Sequence, residues 1–195
     1  MRFADWEPHY TAILEYFGFE READEAAARL LADLAFGRDD VGLLEALIRD
    51  KTVTVCGNAP SLPEELDRVE GTVLAADAAA EVLVDHGVRP DAVFTDLDGA
   101  TDVFVDLSRQ GTVMVVHAHG DNIPLLRHWV PLLPGPLVAT TQAAPLSHVH
   151  NFGGRSLPPM NSVRRGSGSS GSTSPTGTST PSSGANSSGR ESFST

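Results

Sequence analysis

From Lys51 onward the chain alternates short apolar runs with helical segments, and almost every run ends in a polar cluster. "TVTVCG" is a strand of β-branched residues leading into the loop "NAPSL", and "PEELDRVE" has the pattern of a short helix. "TVLAAD" is a second strand, followed by "AAAEVLVDHG", a helix stopped by Gly87. "PDAVFTDLDG" and "GTVMVVHAHGDN" are further strands, "NIPLLRHWVPLL" is a helix and "GPLVATTQ" another strand. Strand, helix, strand at this spacing leaves one broad solution, a parallel sheet with crossover helices. The polar clusters then share one edge: Gly57-Asn58, Asp77, Asp96/Asp98, His117/His119/Asp121 and Thr140/Thr141/Gln142. That edge, the carboxyl ends of the strands, is where open α/β sheets bind ligands.

Two segments flank this core. Residues 1–50 read as helices. "DWEPHYTAILEYFGF" puts Ile13, Leu14, Tyr16 and Phe17 on one side, and "READEAAARLLADLA" carries Leu30, Leu31 and Leu34 as its apolar stripe. "DDVGLLEALIRD" completes the set, with Asp39 or Asp40 as N-cap. This α-helical N-terminal segment is expected to pack beside a Rossmann-like, mostly parallel α/β domain at 51–154. From Arg155 the chain is Ser/Gly/Pro-rich, with 14 serines in 41 residues and one acid, Glu191. Such a composition cannot bury enough surface to offset chain entropy, so 155–195 reads as a disordered tail. Back-translated with GC-rich codons and read from the third nucleotide, Arg155–Ser174 becomes LAAADEFGAARLRFVGFDF, an acidic amphipathic helix followed by a strand. The tail therefore reads as a frameshift product that replaces the last part of the domain; resequencing across codon 154 tests this.

Composition narrows the function. With 41% hydrophobic residues in 195, the chain has enough for one core. Its net charge is −12, from 26 acidic and 14 basic residues, and Lys51 is the sole lysine. No basic patch is available to release counterions, which argues against nucleic acid as a partner. The same acidic, lysine-poor dialect looks haloarchaeal, where carboxylates keep a surface hydrated in molar salt. Cys56 alone supports neither a disulfide framework nor a cysteine zinc site, and it reads as a small apolar strand residue. "MRFADWEPHY" has no apolar signal core, and no run approaches 18 apolar residues, so a cytoplasmic protein without membrane attachment is expected.

Three motifs carry chemistry. In "CGNAPSL", Gly57, Asn58, Pro60 and Ser61 follow a strand and precede a helix, so backbone N–H groups can face a phosphate; a plain glycine turn gives the same pattern. "FTDLDG" delivers Asp96 and Asp98 together and turns on Gly99. Paired carboxylates repel unless they share a cation, and hard oxygen ligands beside a phosphate site suit Mg²⁺. "VHAHGDN" offers His117, His119, Asp121 and Asn122, either as metal ligands or as hydrogen-bonding residues that shape a pocket; the second reading is preferred over zinc. His9, His86, His128, His148 and His150 are read as surface or packing residues.

Taken in order, "GNAPSL", "AADAAA", "PDAVFTDLDG", "VHAHGDN", "TTQ" and "NFGG" resemble the archaeal 6-hydroxymethyl-7,8-dihydropterin pyrophosphokinase family from about Val53 to Gly154. The resemblance implies a thiamin-pyrophosphokinase-like fold and Mg²⁺-dependent transfer of the ATP β,γ-diphosphate to the pterin hydroxymethyl oxygen, releasing AMP, in tetrahydromethanopterin or folate-type biosynthesis. It implies Asp96 and Asp98 as Mg²⁺ ligands, with His119 and Asp121 beside them. Gly57, Asn58, Pro60 and Ser61 would face the phosphates, and Asp77, Asn122, Thr141 and Gln142 would line the site. ATP and a pterin are the implied partners; a homo-oligomer stays open. The chain departs from the family at Ala59, where a second glycine is usual, and after "NFGG", where "RSLPPM" replaces an acidic segment. Three rival readings remain: a haloacid-dehalogenase-like phosphatase built on "DLDGAT", a truncated remnant that only binds nucleotide or does not fold, and a generic nucleotide-binding module that would bind ATP without forming AMP.

Overall fold

The computed structural model describes residues 2–151. The 155–195 tail and most of "NFGG" lie outside the described residues. Six strands form one sheet: β1 Val53–Cys56, β2 Thr72–Ala76, β3 Ala92–Thr95, β4 Val113–Ala118, β5 Leu137–Thr141 and β6 Val149–Asn151. Every neighbouring pair is parallel and the spatial order is the sequence order, β1 through β6. This is the expected α/β architecture, but without the reversal of strand order that makes a sheet doubly wound.

The unbroken order has a steric consequence. Crossovers between parallel strands are right-handed, so crossovers that always step the same way stay on one face. The connecting elements are a 3₁₀ turn at Leu62–Arg68, then α4 Ala79–Asp85, α5 Asp102–Arg109 and α6 Ile123–Trp129. Their apolar residues, including Leu62, Leu83, Phe104 and Leu126, join one core with Val93, Met114, Val116 and Ala139 of the sheet. β5 and β6 are joined by a loop without a helix, and the N-terminal segment fills that place. In α2 (Arg21–Leu34) Ala27 and Leu31 enter the same core, as does Ala35 just after it. The opposite face is covered by α3 (Val41–Ile48), whose Leu44 packs with Leu74, Ala92, Val113, Val115 and Val138. Residues 1–50 thus supply helices to both faces of the sheet.

The first helix, α1 (Phe3–Phe17), turns a different side inward than its apolar residues suggest. Tyr10 and Leu14 are buried, against Ala143 and partly buried Trp6, while Ile13, Tyr16 and Phe17 are exposed, Tyr16 at 83%. The expected helix "PEELDRVE" is the 3₁₀ turn, and "NIPLLRHWVPLL" splits into α6 and a 3₁₀ turn at Val130–Leu132. Asp40 occupies the N-cap of α3 but makes no side-chain cap bond; its carboxylate accepts from Leu137 N at 2.8 Å, anchoring the start of β5. No helix among the described residues is long and apolar enough to cross a membrane.

Candidate active site

All six strands point their carboxyl ends the same way, which brings the polar clusters onto one edge. At the end of β2, Asp77 adopts a left-handed backbone (φ 51°) and its Oδ1 accepts from Thr95 Oγ1 at 2.7 Å. Burial, helped by the charges of Asp96 and Asp98, raises the Asp77 carboxyl above its ordinary value, although the Thr95 hydrogen bond opposes the shift. Three carboxylates therefore converge where β2 and β3 end.

The turn after β3 is not made by glycine. Leu97 takes φ 74°, with its side chain 1% exposed and its N–H donating to Thr95 Oγ1 at 2.7 Å, whereas Gly99 is not left-handed. This inward Leu97 leaves Asp98 exposed and Asp96 half-buried on the outer side. Asp96 Oδ1 accepts from Asp98 N at 3.2 Å, and its Oδ2 lies 3.8 Å from His119 Nε2, beyond hydrogen-bond range.

From β4, His117 and His119 stand with ring centroids 6.3 Å apart, and His117 Nδ1 is 3.1 Å from Thr140 Oγ1. Burial, and then the neighbouring His119, lower the His117 pKa, which favours a neutral imidazole near pH 7. Asp121 is exposed. Asn122 is fully buried and spent on the backbone: its Nδ2 donates to Asp96 O (2.8 Å) and His117 O (2.7 Å), and its Oδ1 accepts from His119 N (3.1 Å). It ties the end of β4 to the turn after β3 and offers no free amide to a ligand. Thr141 is likewise buried, its Oγ1 accepting from Ala143 N, and Gln142 donates from Nε2 to Asp24 Oδ2 at 2.8 Å.

The loop after β1 forms the far end of the edge. Gly57, Asn58, Pro60 and Ser61 are exposed, and Ala59 N and Leu62 N bond back to Gly57 O and Ala59 O. A Cβ at Gly57 would meet open space, so a ligand can approach that backbone closely. The loop borders a cavity of about 230 Å³ that is also lined by Val55 and Arg68. The element that follows is a 3₁₀ turn of seven residues, not the α-helix whose N-terminus was expected to face a phosphate.

Sequence reasoning missed Asp24, and it missed that Arg68 and Glu65, paired at 3.3 Å, line the cavity beside this loop. Asp24 is 4% exposed; it accepts from Tyr10 Oη at 2.6 Å, Gly120 N at 2.7 Å and Gln142 Nε2 at 2.8 Å. Its signal was available: Asp24 begins a buried stripe of Ala27, Ala28 and Leu31 at helical spacing, where a lone acid needs partners.

A family model described as 6-hydroxymethylpterin diphosphokinase MptE-like matches residues 28–160, beginning inside α2 and so including α3 and the whole sheet. The 6-hydroxymethyl-7,8-dihydropterin pyrophosphokinase of Methanothermobacter thermautotrophicus is 40% identical over 154 residues, covering 76% of this chain and 66% of that protein. Its namesake in Pyrococcus furiosus is 41% identical over 162 residues, 79% of this chain and 68% of that protein. The Methanocaldococcus jannaschii protein of that name is 28% identical over 168 residues, 79% and 70%. The chain thus spans about two thirds of the length of these curated relatives. On the family match and these identities, the chain belongs to the MptE-like 6-hydroxymethylpterin diphosphokinase family.

Proposed function

We propose that the protein transfers the diphosphate of ATP to 6-hydroxymethyl-7,8-dihydropterin, giving AMP, with Mg²⁺ held by Asp96 and Asp98. The observation that carries this is the convergence of Asp77, Asp96 and Asp98 on the edge that also bears the Gly57–Ser61 loop, in a chain of this family. The donor set suits the ion. The oxygens are hard, and Asp77, whose carboxyl burial raises with a smaller push from Asp96 and Asp98, stands beside them. Among the described residues no three His, Cys, Asp or Glu close into a metal cage. Asp96 and Asp98 would supply two oxygens to the ion, and nucleotide phosphates would supply others. When bound, Mg²⁺ neutralises charge on the phosphate oxygens as it develops.

The chain's own residues divide the remaining work. The loop from Gly57 to Ser61 receives the phosphates at its open backbone, beside the Arg68–Glu65 ion pair. The pterin hydroxyl oxygen bonds to the β-phosphorus, the bond from that phosphorus to the α-phosphate oxygen breaks, and AMP leaves. His117, His119, Asp121 and Gln142 form the pterin side, where the hydroxyl gives up its proton. A phosphatase reading of "DLDGAT" fits less well. Its lysine could only be Lys51, which precedes β1 at the opposite edge, roughly 13 Å of strand away.

The test is AMP formation from ATP with Mg²⁺ in molar KCl, with and without the pterin. Pterin-dependent AMP is expected, and Asp96→Asn should reduce it at least ~100-fold while leaving the fold intact. Turnover retained in that variant, or phosphate release from simple phosphomonoesters, would overturn the assignment.

A further inference from the structure

The site edge has two differently supported halves. The loops after β4 and β5 are mounted on the N-terminal helices through one buried group, Asp24. Its Oδ1 takes the Gly120 N–H, and its Oδ2 takes both the Tyr10 hydroxyl and the Gln142 amide. Burial foremost, reinforced by Asp24, keeps the Tyr10 phenol strongly protonated, so it serves as a donor throughout the working range. Two further contacts tighten the mount. Gly120 lies so close to α2 that a Cβ there would stand 2.7 Å from Ala23 Cβ, and Trp6 Nε1 donates to Gln142 O at 2.9 Å. The carboxylate of Asp24 bonds to Tyr10, Gly120 and Gln142, and to none of the Gly57–Ser61 loop, Asp77, Asp96 or Asp98.

We infer that Asp24 is a positioning residue for the pterin side of the site. By fixing Gly120 it sets His119 and Asp121, and by fixing the Gln142 side chain it shapes the opposite wall, while the aspartate turn after β3 reaches this half only through its backbone, at the Asn122 bond to Asp96 O. The inference rests on the proposed function for the identity of the ligand, and its distinctive consequence is selectivity. Asparagine at position 24 keeps one acceptor oxygen and replaces the other with an NH₂ that faces donors.

The experiment is calorimetric titration of the full-length protein with ATP and, separately, with 6-hydroxymethylpterin, for wild type, Asp24→Asn and Tyr10→Phe. Asp24→Asn should weaken pterin binding roughly 10- to 100-fold and leave the ATP Kd within about twofold. Tyr10→Phe, which removes one of three donors in a nearly isosteric way, should give the same pattern at roughly 3- to 10-fold; it also serves as the readout if Asp24→Asn fails to fold. Proportional losses for both ligands, or no loss for either, would show a merely structural carboxylate and sink the inference. A wild type that binds both ligands without forming AMP would fail the proposed reaction yet still decide the role of Asp24. A wild type that binds neither would overturn both.

Discussion

Leu97 separates the two aspartates, and its backbone works against its side chain. A left-handed φ costs a residue with a Cβ about 1 kcal/mol, whereas burying a leucine side chain contributes about 2 kcal/mol. The two alternatives at this position therefore rank against intuition. Leu97→Ala keeps the strain and leaves a cavity, for a loss of about 3 kcal/mol; Leu97→Gly removes one more carbon but relieves the backbone, and should lose about 1 kcal/mol less. Urea unfolding of the two variants checks the order, and a glycine variant weaker than the alanine one would refute the strain. Asp77 gives a pH prediction of definite sign. Its folded pKa is raised, so the native state holds the proton more tightly; ionisation destabilises the fold as pH climbs from the ordinary carboxyl value, about 4, through the folded one. Asparagine tolerates the left-handed backbone and can still accept from Thr95. Without divalent cations, Asp77→Asn should match wild type below about pH 4 and melt about 1–3 °C higher at pH 7. A gap that fails to open with rising pH contradicts a carboxyl raised by burial and, to a lesser degree, by Asp96 and Asp98. The aspartates could be read from sequence because each is a charge placed directly after an apolar run. Leu97 could not, since nothing in "DLDG" marks a leucine, not the glycine, as the left-handed residue. Asn122 is visible in the sequence by its polar neighbours, and only the assembled strands reveal that its amide meets two carbonyls.

Whole elements follow the same division. The strands β1 to β5 and helices α2, α4 and α6 are legible from β-branched runs, alanine-rich stretches and stop signals. Helix α5 and strand β6 are not. "DVFVDLSR" buries Phe104, Val105, Leu107 and Ser108, but its β-branched residues and acids give a weak local preference, and burial against the sheet decides. β6 has three residues, too few for a period, and Asn151 holds its end through Nδ2 bonds to the carbonyls of Thr141, Gln142 and Ala143. In α1 two apolar stripes compete, and the sequence shows both equally. The Tyr10 hydroxyl selects one because Asp24 is there to receive it, leaving Tyr16 and Phe17 outside. One close contact between elements is Gly120 on α2, where an added Cβ would stand 2.7 Å from Ala23 Cβ. Gly120→Ala should push the turn after β4 off Ala23 and destabilise the protein by about 1–3 kcal/mol, lowering the melting temperature by roughly 3–10 °C. Thermal melts settle this, and an alanine variant as stable as wild type would mean that α2 yields at no cost.

At the level of the molecule, strand order decides which parts depend on which. A sheet whose crossovers all lie on one face must find a cover for the other, because parallel sheets are stable when both faces are buried. Here the cover comes from before the sheet: α3 over Leu74, Ala92, Val113, Val115 and Val138, and α2 over the β5–β6 side that lacks a crossover helix. The family match agrees in beginning inside α2 instead of at β1. Sequence texture suggests a break near residue 50, because helical periodicity gives way there to strands, but a change of local pattern carries no information about which surfaces meet. The consequence is testable by truncation. A chain of residues 51–195 keeps every strand and every proposed phosphate and metal ligand, yet leaves apolar surface bare on both faces. It should lose the cooperative thermal transition, bind a hydrophobic dye strongly and retain much of its secondary structure, as a collapsed state without fixed packing does. The full-length chain should melt cooperatively and bind little dye under the same conditions. If the truncated chain instead unfolds in a single sharp transition and still binds ATP, the sheet is self-sufficient and the helices are an accessory. If it collapses as expected, residues 1–50 are as much a part of the catalytic unit as the aspartates at its edge.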